Sequence, residues 1–281
     1  MNFRGELRHT RLPDKPCKPA EIRQKLHVTR LVLQTRKTGV ESKDHPYRKR
    51  AHPKGLISCR ILIKETDLLV SARTDLSEQA RDRVLHHRRQ LEAYIKRRPE
   101  FLSALLPLSE DPFAPPIVSE MIRASCRFAV GPMAAVAGAI AHFVGTDLLD
   151  YSDEVLVENG GDIFVKTKRP ATVSIFAGTS PLTNRLGLVL KPERMPMGVC
   201  TSSGTVGHSL SLGKADAVCI VASSASIADA AATALANRVT SKSKLANAID
   251  SVKESQGIRG GVVIIGETVA SWGEIELTHL T

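Results

Sequence analysis

The order in which apolar positions alternate, run together or recur at helical spacing predicts an α+β chain. The stretch GLISCRILIKETDLLVSAR holds alternating and continuous apolar runs split at Lys64-Glu65-Thr66-Asp67, which predicts two antiparallel strands. Ser77 is placed to cap a helix over EQARDRVLHHRRQLEAYIKRR, with Ala80, Val84, Leu91 and Ile95 as its apolar positions and Pro99 as its stop. His86, His87, Arg88 and Arg89 fall mostly on the wet face of that helix, where neither histidine has an obvious partner. The proline-rich EDPFAPPIVSEM reads as a connection, and MIRASCRFAVGPMAAVAGAIAHFVG as a helix, a break at Gly131-Pro132 and a second helix. Ala134, Ala137, Gly138 and Ala141 give that second helix a smooth face. It suits close approach by a backbone or a flat ligand, and equally suits tight packing on a sheet.

Further along, EVLVENGGDIFVKT predicts strand, tight turn and strand, because Asn159-Gly160 readily adopts the positive φ of a two-residue hairpin turn. ATVSIFAG and LGLVL are further strands. MGVCTSSGTVGHSLSLGKADAVCIVAS reads as a loop-rich segment running into the strand DAVCIVAS, followed by the alanine-rich helix IADAAATAL. A helix around KLANAIDSVKES leads to two closing strands, GGVVIIG and SWGEIEL. No repeat of solenoid length is visible. Antiparallel strand pairs interspersed with helices define the expected class: α+β, antiparallel sheets with packed helices.

Composition sharpens this picture at three points. Only 4% of the 281 residues are aromatic, so aliphatics and alanine must fill the core. Cys17, Cys59, Cys126, Cys200 and Cys219 are scattered without a C-x-x-C, which argues for buried thiols rather than a disulfide framework or zinc site. The charge is uneven: residues 1–60 hold sixteen Lys and Arg against five Asp and Glu, a net +11, while the whole chain is +10. Residues 1–44 are therefore expected to be a basic, partly disordered extension, with KLHVTRLVLQT as one short strand, ahead of a domain at 45–281. The main body is near neutral, so nucleic acid is not the expected partner. No apolar run reaches the roughly 18 residues of a membrane span, and the N-terminus lacks a signal-peptide pattern; the expected setting is cytoplasmic, with no membrane partner.

Three segments carry candidate chemistry. Asp229 and Thr233 stand at i and i+4 in the alanine helix and share one face. A carboxylate and a hydroxyl there can point at one hard cation such as Mg²⁺, which prefers oxygen ligands and leaves the rest of its shell to water or phosphate. The spacing alone equally fits an Asp drawn to its own helix N-terminus, with Thr233 incidental. Asn159-Gly160-Gly161-Asp162 and Thr201-Ser202-Ser203-Gly204 are backbone-rich loops of small polar residues. Such loops can hold phosphate or ribose through N–H groups, or can simply be turns.

In this order the three segments resemble the ApbE-like superfamily, whose characterised members are FAD:protein FMN transferases. Those enzymes carry a Gly-Gly-Asp turn, a Thr-Ser-Gly loop and an Ala-Asp-Ala-x-Ala-Thr-Ala-Leu helix. The resemblance spans roughly residues 45–281 and is closest to a smaller, functionally unassigned branch, in KETDLLV, VGPMAAVAGAIA, VENGGDI, CTSSGTVGHSLSLGKADAV and ADAAATAL. It implies an ApbE-like fold, FAD as ligand or substrate, and Mg²⁺ held by Asp229 and Thr233. It also implies that Asn159–Asp162 and Thr201–Gly204 face a nucleotide, and that the FMN half passes to a Thr or Ser of an acceptor protein. Asp229 would serve catalysis through the metal; His208 is either a general acid/base or a loop histidine with a structural hydrogen bond. Two departures stand out. No Asp-Pro follows His208, where transferases have His-Ile-x-Asp-Pro-x-Thr-Gly, and no Lys separates Ala137 from Gly138, where they have Ala-Lys-Gly. The expectation is thus a Mg²⁺-dependent, flavin-transferase-like enzyme acting on FAD or a related pyrophosphate, or else a flavin- or nucleotide-binding protein without transfer activity.

Overall fold

The computed structural model describes residues 55–202 and 213–280, all within one compact unit, Glu41–Thr281. The extension at 1–44 with its expected strand lies outside the described residues, as does the segment 203–212.

Strands β1 (Ile57–Ile63) and β2 (Thr66–Ala72) pair antiparallel across a turn in which Lys64 takes φ +52°. Helix α1 (Ser77–Arg97) follows, but Ser77 is its first residue and not its cap. The Ser77 N–H donates to Asp75 Oδ1 at 2.9 Å, so Asp75 supplies the acceptor expected of Ser77. After the short α2 (Glu100–Ser103), α3 (Pro116–Phe128) begins inside the proline-rich stretch read as a connection. Pro116 opens it, where a missing N–H costs no hydrogen bond. Ala129 ends α3 in the left-handed conformation, and a 3-10 turn over Pro132–Ala135 leads to α4 (Val136–Leu148).

The rest is strand-rich: β3 (Val155–Asn159), β4 (Asp162–Lys166), β5 (Ala171–Ser174), β6 (Leu186–Leu190), β7 (Met197–Ser202) and β8 (Ala217–Ala222). Helices α5 (Ala225–Arg238) and α6 (Leu245–Lys253) precede β9 (Ile258–Ile265), β10 (Thr268–Gly273) and β11 (Glu276–His279). Two strand readings change. MGVCTS is a strand rather than loop, and SWGEIEL is cut at Gly273, whose φ of +76° turns the chain from one sheet into the other.

Every pairing among the described residues is antiparallel. One eight-stranded sheet has the order β1-β2-β3-β4-β7-β8-β9-β10, and a three-stranded sheet has the order β11-β6-β5. The period of two along a strand sorts the core. Phe164, Cys200, Val218, Ile220 and Val263 face the helices, while Val165, Val199, Cys219, Val221, Val262 and Ile264 face the small sheet. The large sheet is therefore the middle of three layers. Coverage on both faces explains why its central strands, AVCIVA above all, are continuously apolar rather than alternating.

The alanine helix α5 lies at the centre of the helical layer, with Ala225, Ala228, Ala230, Ala231, Ala232 and Ala234 buried. A helix apolar on all sides is an enclosed one, and alanine lets its neighbours come close. The smooth face of α4 meets that helix backbone: a Cβ on Gly138 would lie 2.2 Å from the Ala225 carbonyl oxygen. The wet-face reading of the histidine cluster fails for His87, which is buried with Nε2 2.8 Å from Asp147 Oδ2. Burial pushes its imidazole down against the pull of that carboxylate. Among the described residues no single helix is long and apolar enough to cross a membrane.

Candidate functional site

Three elements bring their side chains to one buried point. In the β4–β7 pairing Asp162 stands opposite Cys200, so both project from the same face of the sheet. Two residues earlier on that face of β7 is Gly198, where a Cβ would lie 2.2 Å from the Ala225 nitrogen. Helix α5 thus rests directly on β7, running the same way. A two-residue step along a strand advances about 6.7 Å, and a four-residue step along a helix about 6 Å, so the contacts stay in phase. Gly198 meets Ala225, and Cys200 meets Asp229, with Sγ 3.9 Å from Oδ1. The ligand atoms of Asp162, Cys200 and Asp229 lie within 4.8 Å of one another, all three residues buried. One further step on each element reaches Ser202 and Thr233, both half-buried.

Asp229 divides its two oxygens between structure and site. Oδ2 accepts the Gly138 N–H at 2.9 Å, in the first turn of α4, where helical N–H groups have no partner within their own helix. The helix N-terminus that attracts Asp229 is therefore that of α4, not the start of its own helix. Oδ1 faces the Cys200 thiol. Burial, then the neighbouring Asp162 charge, pushes the Asp229 carboxyl well above the ordinary range, against the donation from Gly138. Burial, with the Glu158 charge adding to it, raises Asp162 to about 7. Burial, then the two carboxylates, raises the Cys200 thiol well above its usual value.

The Gly-Gly-Asp hairpin is fastened to both neighbours. Gly160 and Gly161 form the turn, at φ +65° and +118°, and Asn159 is the last residue of β3 rather than a turn residue. The Asn159 amide donates to the Ala137 carbonyl at 3.0 Å, which ties the turn to the start of α4. Thr201 N–H donates to the Gly161 carbonyl at 3.2 Å, which ties it to β7. The Gly161 N–H donates to Glu158 Oε1 at 3.1 Å.

So Asn159, Gly160, Gly161, Asp162, Thr201 and Asp229 gather at one place although they come from distant segments. Ser203, Gly204 and His208 lie outside the described residues. The arrangement suits a divalent cation. Asp162 Oδ1 is buried without a hydrogen-bond partner, and two adjacent buried carboxylates are costly until a positive charge offsets them. The sequence reading takes Cys200 only as a buried thiol, which it is, and gives it no place in the site. The signal available for it was the period of two in GVCTS, once that stretch is taken as a strand.

Two solved structures share this architecture. A mutant form of the flavin transferase ApbE from Vibrio cholerae superposes with TM-score 0.50 at 12% identity, covering 77% of this chain and 96% of that one. The apo form of the flavinyl transferase ApbE from Pseudomonas stutzeri gives TM-score 0.50 at 16% identity, covering 77% and 93%. The fold is thus that of an ApbE-like α+β protein. In sequence, the family model described as AbpE bacteria matches residues 48–257. A relative from Methanocella arvoryzae is 41% identical over 214 residues, 76% of this chain and 87% of its own. One from Methanothermobacter thermautotrophicus is 42% identical over 230 residues, 79% and 88%. Both are named UPF0280 protein. The chain belongs to this ApbE-like family, in the branch of the UPF0280 proteins.

Proposed function

We infer that this protein binds FAD, or a related nucleotide pyrophosphate, together with Mg²⁺ at the junction of the Asn159–Asp162 hairpin, β7 and α5. The observation that carries the reading is the buried cluster of Asp162, Cys200 and Asp229, with its unpartnered Asp162 oxygen, beside a hairpin of two positive-φ glycines. Asp229 and Thr233 would hold the cation, with Asp162 beside it. Asn159–Asp162 and Thr201–Gly204 would face the nucleotide. Mg²⁺ bound there would offset charge on the pyrophosphate oxygens. The protein's own contribution is placement. The Gly138 N–H fixes one oxygen of Asp229, and Asn159 and Thr201 fix the hairpin against α4 and β7.

Whether the site also transfers FMN to an acceptor protein turns on the two departures. With no Asp-Pro after His208 and no Lys between Ala137 and Gly138, ligand binding with poor transfer is the reading we favour. The alternative is a full Mg²⁺-dependent flavin transferase with His208 as general acid/base. Incubation with FAD, Mg²⁺ and a Thr-containing acceptor peptide, followed by mass spectrometry, separates the two. The expected result is a FAD- and Mg²⁺-dependent rise in melting temperature with little peptide gaining the FMN mass. Efficient labelling would establish the transferase instead, and absence of any thermal response to FAD or other nucleotides would remove the ligand class altogether.

The family match begins at residue 48, and we propose that residues 1–44 are dispensable to the fold and to this site, in a protein that works in the cytoplasm. Deleting them should leave the melting temperature within a few degrees of the full chain and abolish any salt-sensitive binding to nucleic acid. A loss of more than about 3 kcal/mol, beyond what surface changes produce, would place KLHVTRLVLQT in the core.

A further inference from the structure

We propose that the Cys200 sulfur is a direct ligand of the cation shared by Asp162 and Asp229, so that the site takes Mn²⁺, Co²⁺ or Zn²⁺ more tightly than Mg²⁺. The inference rests on the metal reading above and adds the chemistry of the ligand set.

Two independent constraints place the sulfur. Strand register sets Cys200 opposite Asp162, and the close rest of α5 on Gly198 brings Asp229 down onto Cys200. With metal–sulfur and metal–oxygen bonds near 2.3 and 2.1 Å, adjacent ligand atoms stand about 3.1–3.6 Å apart. The Cys200 Sγ to Asp229 Oδ1 separation of 3.9 Å is a few tenths beyond that, a gap that small side-chain rotations close. The unpartnered, buried Asp162 Oδ1 supplies an acceptor with no other task. Mg²⁺ gains little from sulfur, whereas first-row transition ions and zinc bind thiolate strongly. On binding, the S–H bond is replaced by a sulfur–metal bond and the proton leaves to the buffer; no electrons change hands. Cys219 cannot take this part, because it lies on the opposite face of the sheet, in the core against the small sheet.

Metal-stripped, full-length protein titrated with Co²⁺ tests the assignment by absorbance. Wild type is expected to show visible ligand-field bands together with a near-ultraviolet thiolate-to-cobalt charge-transfer band. Cys200→Ser should lose the charge-transfer band and keep the visible bands, and Cys219→Ser should keep both. In competition titrations Cys200→Ser should narrow the preference for Zn²⁺ over Mg²⁺ at least tenfold. Visible bands that vanish in Asp229→Ala, with no charge-transfer band in wild type, would overturn the sulfur ligand while leaving the carboxylate site standing. Failure of wild type to bind either Co²⁺ or Mg²⁺ would overturn both.

Discussion

Asp229→Asn is expected to make the metal-free protein more stable than wild type above pH 7, and to abolish stabilisation by Mg²⁺. Both effects follow from the two buried carboxylates. Asp229 and Asp162 each hold their proton more tightly in the fold than in the unfolded chain. A carboxyl whose folded pKa is raised contributes nothing unfavourable below its unfolded value and weakens the fold as pH rises from there to the folded value. For Asp162 that window runs from 3.8 to about 7, which corresponds to on the order of 4 kcal/mol lost above neutrality without a counter-ion. Asn at 229 keeps an oxygen for the Gly138 N–H and removes the Asp229 carboxyl itself, which burial and then the Asp162 charge push well above the ordinary range. A cation reverses the sign for wild type alone: at a hundred times its dissociation constant it adds about 2.7 kcal/mol. Because protons compete for the same oxygens, Mg²⁺ should also bind more tightly at pH 8 than at pH 6. Urea melts at pH 5.5 and 8, in EDTA and in Mg²⁺, check all of this. A variant weakened equally at both pH values, with Mg²⁺ still stabilising it, would make Asp229 a helix-capping residue and nothing more.

Much of the architecture is legible in the chain because it is local. The hairpin over residues 155–166 is written in its glycines, and the break between α3 and α4 in Gly131-Pro132. Strand β7 was hidden because Gly198 and the small residues up to Ser202 look like a loop, and only coverage on both faces makes such a stretch a strand. Gly273 disguised a change of sheet as one continuous strand. The partner of His87 lies 60 residues away on α4, and no pattern within α1 points to it. The site was half legible. Asp229, Thr233 and the two loops stand out by motif, but the meeting of Asp162, Cys200 and Asp229 depends on the β4–β7 register and on how closely α5 rests on the sheet. The register pairs segments about 40 residues apart, and the depth of the helix is set by glycines in neighbouring elements. Neither is a property of any one segment.

Those glycines carry the second large effect: Gly198→Ala and Gly138→Ala are expected to cost both stability and the site. An added Cβ at Gly198 would lie 2.2 Å from the Ala225 nitrogen and 2.3 Å from its Cα. At Gly138 it would lie 2.2 Å from the Ala225 carbonyl oxygen and 2.8 Å from the Asp229 Cβ. The first turn of α5 is thus held between β7 and α4, with backbone on both sides, so no flexible side-chain end can give way. Overpacking of this kind costs about 1–3 kcal/mol, and a clash with backbone belongs at the upper end. For a domain of this size that is a fall in melting temperature of about 6–12 °C. The functional loss has a different route. Displacing α5 from β7 separates Asp229 from Cys200, and displacing it from α4 takes Asp229 off the Gly138 N–H. Both variants should therefore lose their response to Mg²⁺ or Co²⁺ at temperatures where they are still folded. Gly160→Ala is the control, since its Cβ would meet open space and only the φ of +65° opposes it. It should cost about 1 kcal/mol and keep the metal response. If Gly198→Ala and Gly138→Ala melt like wild type and still respond to metal, α5 is not held as described, and the cluster at Asp229 does not depend on its depth against the sheet.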